Sequence, residues 1–234
     1  MKNSYLLKIA TIALTLTTLS HAAHASNERG NGGDVVRCSG KLRTLDSVVL
    51  KSESLQYFNY FELTNYKDSL RMIQTKLEET LPYYGVSLRK FLETYEAKAD
   101  LNSSVFWIQG KVLDIKDENL FIELPKTCGS PIQAVVLANH PITRYYYNKG
   151  LLDELAGNGD EMSWLLIHEW LRPYIKDTDT LRILNGYFHS NQVLESTEKE
   201  IQMKLKRFRF ECCSRATASE VKQDQAEESR YTPV

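Results

Sequence analysis

Trp164-Leu165-Leu166-Ile167-His168-Glu169-Trp170-Leu171-Arg172 sets a His-Glu pair inside an almost wholly apolar run, and the reading of that run decides the fold. Asp160 upstream and Pro173 downstream bound it, which predicts a helix capped by Asp160 and ending at Arg172. Apolar residues surround the pair on nearly every side, so the helix is expected to be buried. A buried carboxylate is costly unless it is paired. Arg172, three residues after Glu169, stands on the same helix face and can supply that pair. Arg182, in the following segment, offers a second cation across a packing interface. On this reading Glu169–Arg172 is a structural ion pair and His168 donates to a backbone carbonyl.

Outward from this run the chain reads as helices, then short strands, then helices again. Leu70, Ile73, Leu77 and Leu81 recur at helical spacing over Tyr66–Leu81, and Pro82 closes that helix. Ser87 is placed to cap a second helix with Leu88, Phe91, Leu92 and Tyr95 on one face. The runs 105–108, 112–115, 121–124, 132–137 and 144–147 are β-rich and separated by turn residues. Asp34–Leu50 reads as extended, with weak periodicity. Gly150–Leu155 reads as a short helix. Thr178 or Asp179 starts another, with Leu181, Leu184 and Phe188 on one face. Thr197 with Glu200 forms a capping box, after which Phe208, Phe210 and Cys212 alternate like a strand. Tyr145-Tyr146-Tyr147 with Trp107 could wall a ligand site, although alternate rings in a sheet core explain them more simply. The expected class is α+β: a small mixed sheet packed with helices.

The first 25 residues read as an export signal. Lys2 and Lys8 form the positive end, Ile9–Leu19 the apolar stretch, and Ala23-His24-Ala25 a small-x-small cleavage site. Cleavage before Ser26 leaves 209 of the 234 residues, with His140, His168 and His189 as their histidines. Residues 26–33 (SNERGNGG) read as a flexible lead-in, 34–213 as a single globular domain, and 214–234, polar and charged, as a disordered tail. No further transmembrane segment is expected, and the address is periplasmic or extracellular. Of the chain's 29 basic residues the signal takes two, leaving 27 against 30 acidic, net −3. That balance gives no footprint for nucleic acid.

Four cysteines fall in the exported part. In an oxidising compartment an even count points to bridges, and a bond between the neighbours Cys212 and Cys213 is strained. Cys38–Cys128 is the expected pair, tying the start of the domain to its middle; free thiols, or Cys128 bonded to one of Cys212 and Cys213, are the alternatives. The absence of a Cys-x-x-Cys argues against a zinc knuckle or a thioredoxin-type site.

The segment Tyr146–Leu155 (YYNKGLLDEL), followed by Glu161–Glu169 (EMSWLLIHE), resembles the strand, Gly-Leu-Leu turn and active helix of zincin-fold metallopeptidases. The likeness covers Tyr146 to Arg172 alone. A zincin helix carries two histidines one turn apart, with the Glu after the first as general base. Position by position, the resemblance implies His168 as a metal ligand and Glu169 as the catalytic base. The second ligand position falls on Arg172, which stays protonated and has no lone pair for zinc. The chain is also similar, loosely, to uncharacterised exported bacterial proteins with a GNGGD-type start. Two functions follow as expectations. One is an exported zincin-like protein that has lost standard metallopeptidase chemistry and serves as a structural or partner-binding module in the envelope, with Arg172 in a binding role and no cofactor. The other is a zinc-dependent envelope hydrolase using His168, Glu169 and a distant ligand such as His189, or a site that also draws on His140.

Overall fold

A computed structural model describes residues 33–52, 58–98, 105–110, 112, 123–138 and 142–210. The signal, residues 26–32, His140, Cys212, Cys213 and the tail lie outside the described residues, as do residues 113–115 and 121–122 of the runs 112–115 and 121–124.

The chain opens with β1 (Asp34–Cys38) and β2 (Lys41–Thr44), joined by Ser39-Gly40 with φ of 48° and 81°. Two left-handed residues in a two-residue loop match the twist of an antiparallel hairpin. Helix α1 (Leu45–Lys51) follows at once. The extended reading of 34–50 therefore holds only as far as Thr44. Val48 and Val49 favour strands locally, but burial of all six residues from Leu45 to Leu50 overrides that preference.

Helices α2 (Tyr66–Thr80) and α3 (Pro82–Ala97) meet at a corner of one residue, Leu81. Pro82 does end α2, but it also opens α3, where its missing N–H costs nothing and its fixed φ suits the first turn. Ser87 is thus inside α3 rather than at its cap. Its hydroxyl accepts a hydrogen bond from the Trp170 indole at 3.1 Å. The two helices touch closely at Gly85, where a Cβ would stand 2.6 Å from the Glu78 backbone nitrogen.

Next come β3 (Val105–Gln109), β4 (Ile132–Gln133), β5 (Val135–Ala138) and β6 (Thr143–Tyr147). They are followed by α4 (Lys149–Ala156), α5 (Glu161–Leu171), α6 (Thr178–Phe188), α7 (Asn191–Glu195) and α8 (Glu198–Arg207). One sheet has the order β2-β1-β4, all antiparallel. The other, β3-β6-β5, is mixed: β3 runs parallel to β6 and β5 antiparallel to it. Eight helices and two three-stranded sheets among the described residues make the fold α+β.

At α8 the expected capping box is present, with both the Thr197 N–H and its hydroxyl donating to Glu200. Phe208 and Phe210 do not form a strand. Phe208 ends α8, and Phe210 turns inward to pack its ring against Tyr84, Trp170 and Tyr174.

All eleven residues of α5 are buried, and the core forms around this helix. Leu165, Leu166, Ile167, Trp170 and Leu171 pack with Ile73 and Leu77 of α2, Leu88 of α3, Leu181 and Leu184 of α6, and Tyr145 of β6. Each fully buried side chain of this size contributes roughly 1.5–3 kcal/mol, so α5 stabilises the fold from all sides. A smaller cluster of Val36, Cys38 and Val48 lies under the hairpin, where Cys38 and Cys128 stand at disulfide distance. The expected pairing is the one found.

Candidate functional site: the polar residues of the buried helix

Three acidic or basic side chains of α5 are buried, and each reaches a different element. Glu161, in the first turn, gathers the β2–α1 junction: its carboxylate accepts from Arg43 Nε, the Thr44 N–H and the Thr44 hydroxyl at 2.8 Å each, and from the Ser47 hydroxyl at 2.6 Å. Asp160 makes no capping bond. Its side chain accepts from the Trp164 indole at 3.2 Å instead, with Lys51 3.7 Å away.

His168 reaches α1. Its Nδ1 lies 2.8 Å from Asp46 Oδ2, and the same carboxylate accepts from Arg182 Nε at 3.2 Å and from the Asn185 amide at 2.8 Å. Asn185 also donates to the Trp164 carbonyl at 2.9 Å, so α1, α5 and α6 close on one buried aspartate. Two sequence expectations are corrected here. His168 faces a carboxylate, not a backbone carbonyl, and Arg182 serves Asp46, not Glu169. Burial disfavours the Asp46 carboxylate, but the His168 and Arg182 charges and the Asn185 amide outweigh it and hold the acid well below its ordinary range. Burial likewise disfavours the His168 imidazolium, yet the charge and hydrogen bond of Asp46 prevail and raise it above its ordinary value. His168 thus donates from Nδ1 to the Asp46 carboxylate, which favours the charged form of the ring.

Glu169 reaches β1. Its Oε1 accepts from the Gly33 N–H at 2.5 Å, and Gly33 O in turn accepts from Ala134 N at 3.0 Å. Gly33, assigned to a flexible lead-in from sequence, is buried and belongs to the folded domain. The Glu169–Arg172 pairing expected from helix spacing is not what holds Glu169 Oε1; the charge of Arg172 acts on the carboxylate together with that of His168. Burial raises the Glu169 acid, and these charges with the Gly33 N–H offset only part of the rise. His168 Nε2 and Glu169 Oε2 are buried without a hydrogen-bond partner among the described residues.

His189, the expected distant ligand, caps the C-terminus of α6 and turns elsewhere. Its ring stacks on Trp164, with centroids 4.1 Å apart at 16°. Nδ1 lies 3.0 Å from the Asn185 carbonyl and Nε2 2.8 Å from the Ser163 hydroxyl. A carbonyl only accepts, so Nδ1 holds the proton, and Nε2 faces the Ser163 hydroxyl, which also lies 2.7 Å from the Asp160 carbonyl. Ser163 precedes His168 by five residues, which is roughly 7.5 Å along the helix axis. Burial lowers the His189 imidazolium to about 3, so the ring is neutral.

These residues do not fit a zinc site. Arg172 occupies the second ligand position and has no lone pair to offer, and the His189 ring is stacked on Trp164 and held by Asn185 and Ser163 rather than turned to His168. Among the described residues no group of three or more His, Cys, Asp or Glu side chains is placed to hold a metal ion.

Comparison with protein-family models, curated proteins and solved structures gave no match for this chain.

Asp46, Asn185 and Gly33 were not legible as site residues. The one available signal was Asp46 in the run Leu45-Asp46-Ser47-Val48-Val49-Leu50, because an acid in an apolar stretch asks for a buried partner.

Proposed function

We propose that this is an exported, zincin-like protein of the cell envelope that has lost standard metallopeptidase chemistry and acts as a structural or partner-binding module. The observation that carries the reading is the use of His168: its Nδ1 is held by Asp46, within a cluster that clamps α1, α5 and α6. The export signal and the partner belong to the same proposal. Support for export comes from the charge and cleavage pattern of residues 1–25 and from cysteines at disulfide distance. No helix among the described residues is long and apolar enough to cross a membrane.

The test is metal analysis of protein purified without chelator, with His168→Ala and His189→Ala beside it. The expected result is no stoichiometric zinc in any of the three, and lower thermal stability in both variants. About one zinc per chain, lost in both variants alike, would overturn the reading in favour of the hydrolase. Sequencing of the exported protein should find Ser26 at its N-terminus.

A further inference from the structure

Helix α8 turns one stripe to the core and the opposite one outward. Ile201 and Leu205 are buried, and Met203, two residues from each, lies about 200° round the helix from both. It points straight away from the core and is 57% exposed, more than any other large hydrophobic side chain among the described residues. Lys199 and Arg207, both exposed, stand four residues to either side of Met203 on the same stripe, with exposed Lys206 alongside. Past the helix Phe208 is half-buried and Arg209 exposed. Tyr174, 40% exposed, meets the Phe210 ring edge to face at 5.6 Å.

These cations have no carboxylate partner. Among the described residues Lys199, Lys206, Arg207 and Arg209 take part in no ion pair. The acids of the same helix are engaged within it: Glu200 closes the capping box with Thr197, and Glu198 accepts from the Gln202 amide at 2.8 Å. Lys204 belongs to the other side, where its ammonium lies over the rings of Phe58 and Tyr187 at 5.6 and 5.3 Å.

The way the helix ends singles out Arg209. The Phe210 N–H donates to the Leu205 carbonyl and the Arg209 N–H to the Lys206 carbonyl, each at 3.0 Å. This paired closure sets a left-handed residue at the position of Arg209, where glycine is the usual occupant. Arg209 has φ 52°, so its side chain is kept against the preference of the backbone. The helix dipole favours cations near a C-terminus. It does not account for arginine where glycine closes the helix better, nor for Met203 standing out in water.

We propose that this face of α8 docks on an anionic phospholipid surface, with Lys199, Lys206, Arg207 and Arg209 meeting lipid phosphates and Met203 entering between the headgroups. Charge complementarity carries the choice of partner: four unpaired cations gather on one helix of a chain whose net charge is −1. Guanidinium groups suit phosphate, which they grip through two N–H groups at once. The exposed apolar surface of the face, chiefly Met203, is too small to core a stable protein interface, which covers roughly 800 Å² on each partner. On a lipid surface it only supplements the attraction of the basic residues, each of which adds to binding. At ten residues α8 is about 15 Å long, so it lies on the surface and does not cross. The face is separate from the polar cluster of α5. Vesicle binding and metal content are read independently, and failure of one leaves the other standing.

The experiment sediments the full exported chain with vesicles of phosphatidylcholine containing about 30% phosphatidylglycerol, beside vesicles of phosphatidylcholine alone. Binding is expected to the anionic vesicles only, and is expected to vanish at about 0.5 M salt, where screening acts within a few ångströms. Lys206→Gln and Arg207→Gln should each weaken it about fivefold, the share of one basic residue at such a surface. Arg209→Gly should weaken it by about the same factor while raising the unfolding temperature, because glycine relieves the left-handed turn. A variant that folds better and binds worse separates docking from stability. Met203→Ser should weaken binding without changing its salt dependence. Lys41→Gln, at an exposed lysine of β2, should leave binding unchanged. Equal binding to both vesicles, binding to neither, or equal losses from Lys41→Gln and Arg207→Gln would overturn the proposal. Capture by polyglutamate without vesicle binding would overturn it in favour of an acidic protein partner.

Discussion

His168 and His189 are both buried, yet their surroundings push them in opposite directions. Asp46 faces His168 and stabilises its charge, whereas Trp164 and Ser163 give His189 nothing anionic. The signs of the two stability effects differ accordingly. The folded-state value of His168 lies above its ordinary 6.5, so its contribution is complete below pH 6.5 and is lost as pH rises through the folded value. That of His189 is depressed to about 3, so its contribution is complete above pH 6.5 and is lost as pH falls towards 3. Each slope is at most about 1.4 kcal/mol per pH unit. Imidazole NMR titration should find His168 charged beyond pH 6.5 and His189 neutral until about pH 3. Asp46→Asn should bring His168 down. A His168 that titrates at or below its ordinary value in the wild type would contradict the Asp46 pairing.

At the scale of elements, α5 acts as a strut whose polar residues select its neighbours. Glu161 takes the β2–α1 junction, His168 takes α1 through Asp46, and Glu169 takes the start of β1 through Gly33. The last contact needs glycine for lack of space. A Cβ on Gly33 would lie 2.1 Å from Leu165 Cδ1 and 2.8 Å from Glu169 Oε1. Leu165 is packed in the core and has no room to retreat, so Gly33→Ala should destabilise the protein by about 1–3 kcal/mol in urea unfolding. An unchanged midpoint would mean that the lead-in does not dock on α5. Sequence reasoning located this helix to within a residue, because Asp160 and Pro173 bracket a long apolar run. It misplaced the partners of the charges, because helix spacing names only partners on the same helix. The partners of His168 and Glu169 lie 122 and 136 residues away. The same limit explains α1, where two valines favour a strand locally and only burial on several sides makes them helical.

Across the whole molecule, Cys38 and Cys128 tie residues 90 apart, and backbone bonds beside them repeat the tie: Ser39 N to Thr127 O at 2.9 Å and Gly129 N to Arg37 O at 3.0 Å. Closing a loop of that length restricts the unfolded chain by about 4–5 kcal/mol. Reduction, or the double substitution Cys38→Ser with Cys128→Ser, should cost most of that while the fold survives at low temperature. A loss under about 1 kcal/mol would show that the hairpin needs no bridge. The class was legible because strand-rich and helix-rich runs alternate with clear punctuation at Pro82, Gly150 and Pro173. The division into two sheets was not, since strands of two to five residues carry little pattern and their pairing joins distant segments. By itself the sequence determined an α+β domain around a buried helix carrying His168-Glu169, and the absence of a second motif histidine, because residue type and local spacing are enough for each. Only the tertiary structure decided that Asp46 holds His168, that His189 faces Ser163, and that Cys38 meets Cys128. These are meetings of side chains far apart in the chain, and packing in three dimensions sets them.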